Sequence, residues 1–113
     1  MEKLNEDQIK EEIIRRLRVI YDPEIPVNIY DLGLIYSIDL EYKNNMYNCH
    51  ITMTLTTPAC PVAEGLLDQV KYASQSLDEV YESNVELTFS PEWNKYMITE
   101  EGKEILELSG MIV

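Results

Sequence analysis

The feature that most constrains the fold is a pair of segments in which apolar and polar residues alternate. The first runs from Leu34 to Tyr42 and the second from Tyr47 to Leu55, with four residues between them. Alternation with a period of two is typical of strands that bury one face, and two such runs with a short connection predict an antiparallel hairpin. A one-residue slip would turn one apolar set outward, so the register is constrained. The expected pairs are Tyr42–Tyr47, Leu40–Cys49, Ile38–Ile51, Tyr36–Met53 and Leu34–Leu55 on the apolar face, Asp39–His50 and Ser37–Thr52 on the other, with Gly33 brought opposite Thr56.

A helix and an ordered loop precede the hairpin. Asn5 and Gln8 predict a capping box at the start of a helix over about residues 6–20, in which apolar residues recur on one face. The segment 22–33 contains two prolines and one glycine. Since both residue types interrupt regular structure, this segment is predicted to be an ordered loop with a short turn near its end.

The remaining elements follow the hairpin. They are a second helix over about 61–77 that begins at Pro61, a third strand over about 84–90, and a last helix over about 100–109, capped by Thr99 and ended by Gly110. The order α-β-β-α-β-α predicts a single α+β domain over residues 1–113. We expect a sandwich in which helices pack on one face of a three-stranded mixed sheet.

Charge and hydropathy exclude several classes of function. The chain of 113 residues carries a formal net charge of −12. Nucleic-acid binding requires a basic surface, and five of the nine basic residues lie within the first 18 positions among acidic ones. No apolar run has the roughly 20 residues of a membrane span, and the N-terminus does not resemble a signal peptide. We therefore expect a cytoplasmic protein without nucleic-acid or membrane partners, whose two cysteines do not form a structural disulfide.

Cys60 is the leading candidate for chemistry. It is predicted at or beside the start of the second helix, where unsatisfied amide groups and the helix dipole favour a thiolate that binds metals or attacks electrophiles. The alternative is a small buried cysteine. Cys49 is predicted to pack in the core, because it lies mid-strand opposite Leu40. His50 is expected about 20 Å from Cys60, which disfavours a catalytic pair and favours a cross-strand contact with Asp39.

Acidic and hydroxyl side chains are expected near Cys60. Asp22 and Glu24 lie in the loop that the hairpin register brings toward the cysteine, where carboxylates can bind a hard cation, share a proton or cap the helix and loop, and the sequence alone favours capping. Thr57 adjoins the cysteine, and its hydroxyl can orient a ligand or fix the turn.

Three separated segments resemble one known family. DPEIPVNIYDLGLIY (22–36), MTLTTPACPVAEGL (53–66) and PEWNKYMITEEGKEIL (91–106) are similar to the signature segments of the iron-sulfur maturation family that includes SufT-like, PaaD-like and eukaryotic cytosolic iron-sulfur assembly proteins. The resemblance implies that Cys60 is the reactive cysteine and a metal ligand, that Asp22 and Glu24 form the acidic loop signature, and that Thr57 belongs to the cysteine loop. The chain lacks the cysteine-rich C-terminal region of PaaD-like members, which favours general cluster maturation.

Two functional hypotheses follow. In the first, a non-enzymatic maturation factor helps assemble or transfer clusters, and Cys60 transiently holds iron or a cluster that is not tightly bound in the isolated monomer. Its expected partners are an assembly scaffold, client apoproteins and, if a cluster is bound, a homodimer or heterocomplex. In the second, a metal-free adaptor docks through its acidic surface in an assembly or phenylacetate-degradation complex. A thiol enzyme is disfavoured because no base is predicted beside Cys60.

Overall fold

The computed structural model describes residues 5–22, 25–56 and 63–108. The elements in this part of the chain are α1 (Glu6–Leu17), β1 (Ile35–Lys43), β2 (Met46–Met53), α2 (Ala63–Gln75), β3 (Val80–Leu87), a 3-10 turn (Lys95–Met97) and α3 (Glu100–Leu108). The strands form one sheet in the order β1-β2-β3, with β1 antiparallel and β3 parallel to β2. The predicted α+β class, element order and mixed sheet are confirmed.

The hairpin register is confirmed over most of its length. Asp39 pairs with His50, Leu40 with Cys49, and Tyr42 with Tyr47, as alternation predicts. The strands also extend one pair further than predicted, because the connection is only a two-residue turn. Asn44 and Asn45 form that turn, with φ angles of 54° and 66°. Asparagine tolerates positive φ better than most residues do, so this sequence suits a tight hairpin turn.

The register predicted at the open end of the hairpin is wrong. Met53 pairs with Ile35 rather than Tyr36, because the pairing shifts between Ile35 and Ser37. The N–H of Thr54 donates to the carbonyl of Leu34 at 2.8 Å, so the predicted Leu34–Leu55 pair does not form either. Such a bulge adds one residue to one strand and redirects its side chain. The Tyr36 hydroxyl donates to the carbonyl of Pro91 at 2.7 Å, which ties the bulge to the segment after β3.

The core lies between the helices α1 and α2 and one face of the sheet. Helix α1 contacts β1, α2 contacts β3, and the two helices contact each other. The fully buried residues Ile9, Ile13 and Leu17 come from α1, and Val70 comes from α2. Burying such side chains stabilises a domain by about 1.5–3 kcal/mol each. In the described ranges, no helix is long and apolar enough to cross a membrane.

Element ends differ from the predictions by a few residues. Helix α1 ends at Leu17, and Arg18 is its C-cap. Strand β3 begins at Val80 rather than near 84, and its polar Ser83 is buried beside Ser74, to which it is hydrogen-bonded. The Thr99 cap of α3 is confirmed, since its hydroxyl accepts a hydrogen bond from the N–H of Gly102 at 3.1 Å. The predicted start at Pro61 and stop at Gly110 lie outside the described residues.

Candidate functional site

The candidate site lies where β2 and β3 end. These strands are parallel, so their carboxyl ends lie at the same edge of the sheet, which is where ligand sites often form in sheets of this kind. The chain leaves β2 through Thr54, Leu55 and Thr56. The predicted site residues Thr57 and Cys60 come next in sequence and lie outside the described residues, as does Glu24. Asp22 is the one predicted site residue that the structure describes.

Asp22 caps the loop that follows α1. It is buried, and its Oδ1 accepts a hydrogen bond from the N–H of Ile25 at 2.9 Å. The N–H of Asp22 donates to the carbonyl of Val27 at 3.3 Å, next to a bridge between Tyr21 and Asn28. These bonds join residues 21–22 to residues 25–28 across the loop. The loop-capping alternative for this carboxylate therefore has direct geometric support, and a role toward iron stays a prediction.

A buried polar cluster, which sequence reasoning did not single out, holds the turn between this loop and β1. Asp31 is only 4% exposed. Its Oδ2 accepts from Asn28 Nδ2 at 2.8 Å, and its Oδ1 accepts from the Thr99 hydroxyl at 2.9 Å. Arg18 approaches the same carboxylate at 3.8 Å and lies over the Tyr30 ring at 4.9 Å. The three-residue spacing of Asn28 and Asp31 was the available signal, since short polar side chains at that spacing often cap turns.

The segment after β3 also holds this turn, which comprises residues 28–33 and is called the clamped turn below. Trp93 Nε1 donates a 2.6 Å hydrogen bond to the carbonyl of Leu32. Gly33 has a φ of 82°, and a Cβ there would collide with the backbone of Met97. The turn is thus held from two sides, through the indole of Trp93 and through a close backbone approach that only glycine permits.

A groove opens between the clamped turn and the ends of the strands. It has a volume of about 350 Å³ and is lined by Leu55, Thr56, Phe89, Glu92 and Trp93. Leu55 is almost completely buried, the two aromatic side chains are half-buried, and Glu92 is exposed. Because Thr56 directly precedes the 57–60 segment, the groove adjoins the point where the chain continues toward Cys60.

Thr54 is the one buried side chain in the described residues whose polar atom has no partner. Its residue is fully buried, and within this part of the chain its Oγ1 forms no hydrogen bond. A buried hydroxyl without a partner costs about 1–3 kcal/mol. This strand end therefore contains a polar group that its described surroundings do not satisfy.

The predictions for Cys49 and His50 have different outcomes. Cys49 is fully buried in the core, as predicted. Burial raises the pKa of its thiol to about 11, with a hydrogen bond from Ser83 acting in the opposite direction and the Asp39 charge adding to the rise. Such a thiol is protonated and unreactive at neutral pH. His50 faces Asp39 in the register, as predicted, but its Nε2 lies 3.3 Å from Glu86 Oε2 on β3, so its observed side-chain partner is Glu86 rather than Asp39.

Residues 5–22, 25–56 and 63–108 do not contain a complete set of metal ligands. No group of three or more histidine, cysteine, aspartate or glutamate side chains there is arranged to hold a metal ion.

Comparison with known proteins identifies the family. A family model described as an iron-sulfur cluster assembly protein matches residues 10–87. The chain belongs to this family. The match extends from α1 through β3 and therefore includes the clamped turn, the exit from β2 and the cysteine segment.

Two named relatives and one solved structure support the assignment to the iron-sulfur cluster assembly protein family. The chain is 48% identical over 101 residues to the Fe-S protein maturation auxiliary factor of Porphyromonas gingivalis, which covers 89% of this chain and 91% of that protein. It is 39% identical to the Fe-S protein maturation auxiliary factor YitW of Bacillus subtilis, over 80% of this chain and 85% of that one. A crystal structure of a domain of unknown function from Bacillus anthracis superposes with a TM-score of 0.76 at 31% identity, and covers 90% of this chain and 94% of that chain. The family expected from the resemblance is confirmed.

Proposed function

We propose that this protein is a non-enzymatic maturation factor that helps assemble iron-sulfur clusters or transfer them to client proteins, with Cys60 as the residue that contacts iron or the cluster. The relatives at 48% and 39% identity are named Fe-S protein maturation auxiliary factors, which supports this role. The observation that carries the proposal is the exit from β2. Thr56 forms one wall of the groove and directly precedes the cysteine segment, beside a turn that the rest of the fold holds in place.

In this proposal iron or a cluster is cargo that is held transiently. One cysteine thiolate supplies one of the four protein ligands that such clusters usually have. The described residues contain no group of three or more histidine, cysteine, aspartate or glutamate side chains placed to hold a metal ion, so a second subunit, a small thiol or a partner protein would supply the remaining ligands. Asp22, Glu24 and Thr57 would then shape the environment of the thiolate or bind iron through oxygen. The partners in this proposal are an assembly scaffold and client apoproteins, or a second copy when a cluster bridges two chains.

Anaerobic reconstitution with iron and sulfide tests the role of Cys60. We expect the wild-type protein to take up iron with a visible absorbance band, and Cys60→Ala to lose most of that iron. Cys49→Ala is the matched control, because Cys49 is the other cysteine and is fully buried in the core. Equal iron content in Cys60→Ala and wild type would contradict the proposal, as would loss in Cys49→Ala alone. Circular dichroism on each variant establishes that all three proteins are folded.

A metal-free adaptor is the second candidate, and the surface of α3 favours it. Glu100, Glu101, Glu104 and Glu107 are all exposed on that helix. If the protein acts only by docking, capture of a purified assembly scaffold survives Cys60→Ala. Reversing the α3 charges to lysine then weakens capture at low salt, because exposed charges act over a longer range when salt does not screen them. The two functions are separated by which set of substitutions abolishes capture.

A further inference from the structure

We propose that the groove lined by Leu55, Thr56, Phe89, Glu92 and Trp93 is a recognition site for a segment of a partner protein in which an arginine or lysine adjoins an apolar residue. The inference rests on the proposed function in one respect: the partner is taken to be a protein that binds next to the cysteine segment. The apolar residue would lie against Leu55 and Phe89, and the cationic residue would lie against Trp93 and pair with Glu92.

The dimensions of the groove match side chains rather than a large cofactor. Its volume of about 350 Å³ is at the lower end of the range for ligand pockets, which is about 300–1,000 Å³. That is room for one or two side chains of an extended segment. The lining combines an aliphatic residue, two aromatic rings and one carboxylate, which is the mixture found where a peptide is anchored by an apolar side chain and oriented by a charge.

Trp93 is held in position before any partner arrives. Its Nε1–H is already engaged by the carbonyl of Leu32 at 2.6 Å, and Leu32 is fully buried in the clamped turn. An indole that is fixed in this way loses little conformational entropy on binding, which increases the affinity obtained from a given contact. The face of an indole also attracts guanidinium and ammonium groups.

The charge distribution selects a cationic partner. Glu92 is the one charged residue among the five described residues that line the groove. The nearest basic residue along the chain, Lys95, lies 5.7 Å from the centroid of the Tyr96 ring, where it has an aromatic contact of its own. The net charge of −12 attracts a basic segment over a distance and repels an acidic one. Local and long-range electrostatics therefore favour the same occupant.

Titration of ¹⁵N-labelled protein with short peptides tests the proposal. Trp93 is the only tryptophan, so the indole Nε1–H gives one resolved signal that reports on the groove. The probe is acetyl-Ala-Leu-Arg-Leu-Ala-amide, and the comparison peptide has glutamate in place of arginine. We expect a saturable shift of the Trp93 signal with the arginine peptide, and at least fivefold weaker binding of the glutamate peptide. Equal affinity for the two peptides overturns the proposal, as does a shift that depends on protein concentration without peptide, which would indicate a second copy.

Two exposed glutamates provide the matched variants. Glu92→Gln removes the carboxylate of the groove. We expect it to weaken the affinity for the arginine peptide at least threefold and to make that affinity less dependent on salt. Glu41→Gln, on an exposed position of β1, removes the same charge from the whole molecule and leaves the affinity unchanged. If both variants lost the same affinity for the arginine peptide, only the net charge would matter, and the proposed recognition site would be contradicted. Glu92→Gln is also reconstituted with iron. Normal iron uptake together with unchanged peptide affinity would contradict the proposed recognition site and leave the proposed function intact. Failed iron uptake in the wild type would contradict the proposed function and leave the recognition site intact.

Discussion

Thr99 and Asp31 are 68 residues apart in sequence and are joined by two hydrogen bonds. The Thr99 hydroxyl donates to Asp31 Oδ1 at 2.9 Å, and the Thr99 N–H donates to the Asp31 carbonyl at 2.8 Å. Thr99 is also the residue that caps α3. The start of the last helix and the turn before β1 are therefore one hydrogen-bonded unit, and this unit supports the wall of the groove through Leu32 and Trp93.

Replacing Asp31 tests this connection. Asp31→Ala leaves the buried amide of Asn28 and the half-buried hydroxyl of Thr99 without their carboxylate partner, and an unsatisfied buried group costs about 1–3 kcal/mol. We expect the free energy of unfolding, measured with urea, to fall by about 2–3 kcal/mol. Asp68→Ala, at an exposed position of α2, is the control and should change it by less than about 0.5 kcal/mol. Equal effects at the two positions would contradict the structural role of Asp31.

Two glycines provide a matched pair for the close approach at the turn. Gly33 has a positive φ and lies against the backbone of Met97, so Gly33→Ala introduces both backbone strain and a collision. We expect a loss of about 2–4 kcal/mol in the free energy of unfolding. Gly65 lies in α2, where an added Cβ would meet no atom within 4 Å, and Gly65→Ala should stabilise the protein by about 0.5–1 kcal/mol. Thermal unfolding of the two variants should thus shift in opposite directions.

Alternation and capping signals were sufficient to predict most of the fold. The register of Leu40 with Cys49 follows from the periodicity of apolar residues, which is a local property of the two strands. The displacement of Tyr36 does not follow from it, because the bulge is stabilised by the distant carbonyl of Pro91. Likewise, the early start of β3 depends on Ser83, a polar residue that is buried through its contact with Ser74 on α2.

The site residues expected from the sequence stay predictions, and two residues that support the neighbouring turn were not predicted. Motif resemblance singled out Cys60, Glu24 and Thr57, which the structure does not describe, and Asp22, whose observed bond caps the loop. Asp31 and Trp93 were not singled out as site residues. Their importance arises from partners more than 60 positions away in sequence, namely Thr99 for Asp31 and Leu32 for Trp93. Contacts over such separations leave no periodic signal in the chain.

The buried thiol of Cys49 predicts unequal reactivity of the two cysteines. In the Cys60→Ala variant, Cys49 is the only thiol left, and Ellman's reagent at pH 8 should label it only after denaturation. The physical reason is that the residue is fully buried and its pKa is about 11. Rapid labelling of the native variant would contradict the packing of Cys49.

The raised pKa of the Cys49 thiol also predicts that the protein loses stability at alkaline pH. An unfolded cysteine titrates near pH 8.5, whereas the folded thiol keeps its proton until about pH 11. Above the unfolded pKa the unfolded state releases a proton that the native state retains, so the free energy of unfolding falls as the pH rises through this window. The contribution of Cys49 is full below about pH 8.5, and about 1–3 kcal/mol is lost by pH 11. The difference in free energy of unfolding between wild type and Cys49→Ala, measured by urea unfolding at each pH, should therefore shrink as the pH rises. Using this difference removes the effect of the tyrosines, which titrate in the same range and are common to both proteins.

Thr54 predicts a gain in stability on losing a hydroxyl. Its N–H is satisfied by the carbonyl of Leu34, but its buried Oγ1 finds no hydrogen-bond partner anywhere in the described ranges. Thr54→Val keeps the shape of the side chain and removes the unsatisfied group, so we expect the free energy of unfolding to rise by about 1 kcal/mol. Thr52→Val, at a half-buried position of β2, is the control and should change it by less than about 0.5 kcal/mol. A loss of stability in Thr54→Val would mean that the hydroxyl is engaged in solution, and in that case the end of β2 is more tightly organised next to the cysteine segment than its hydrogen bonds indicate.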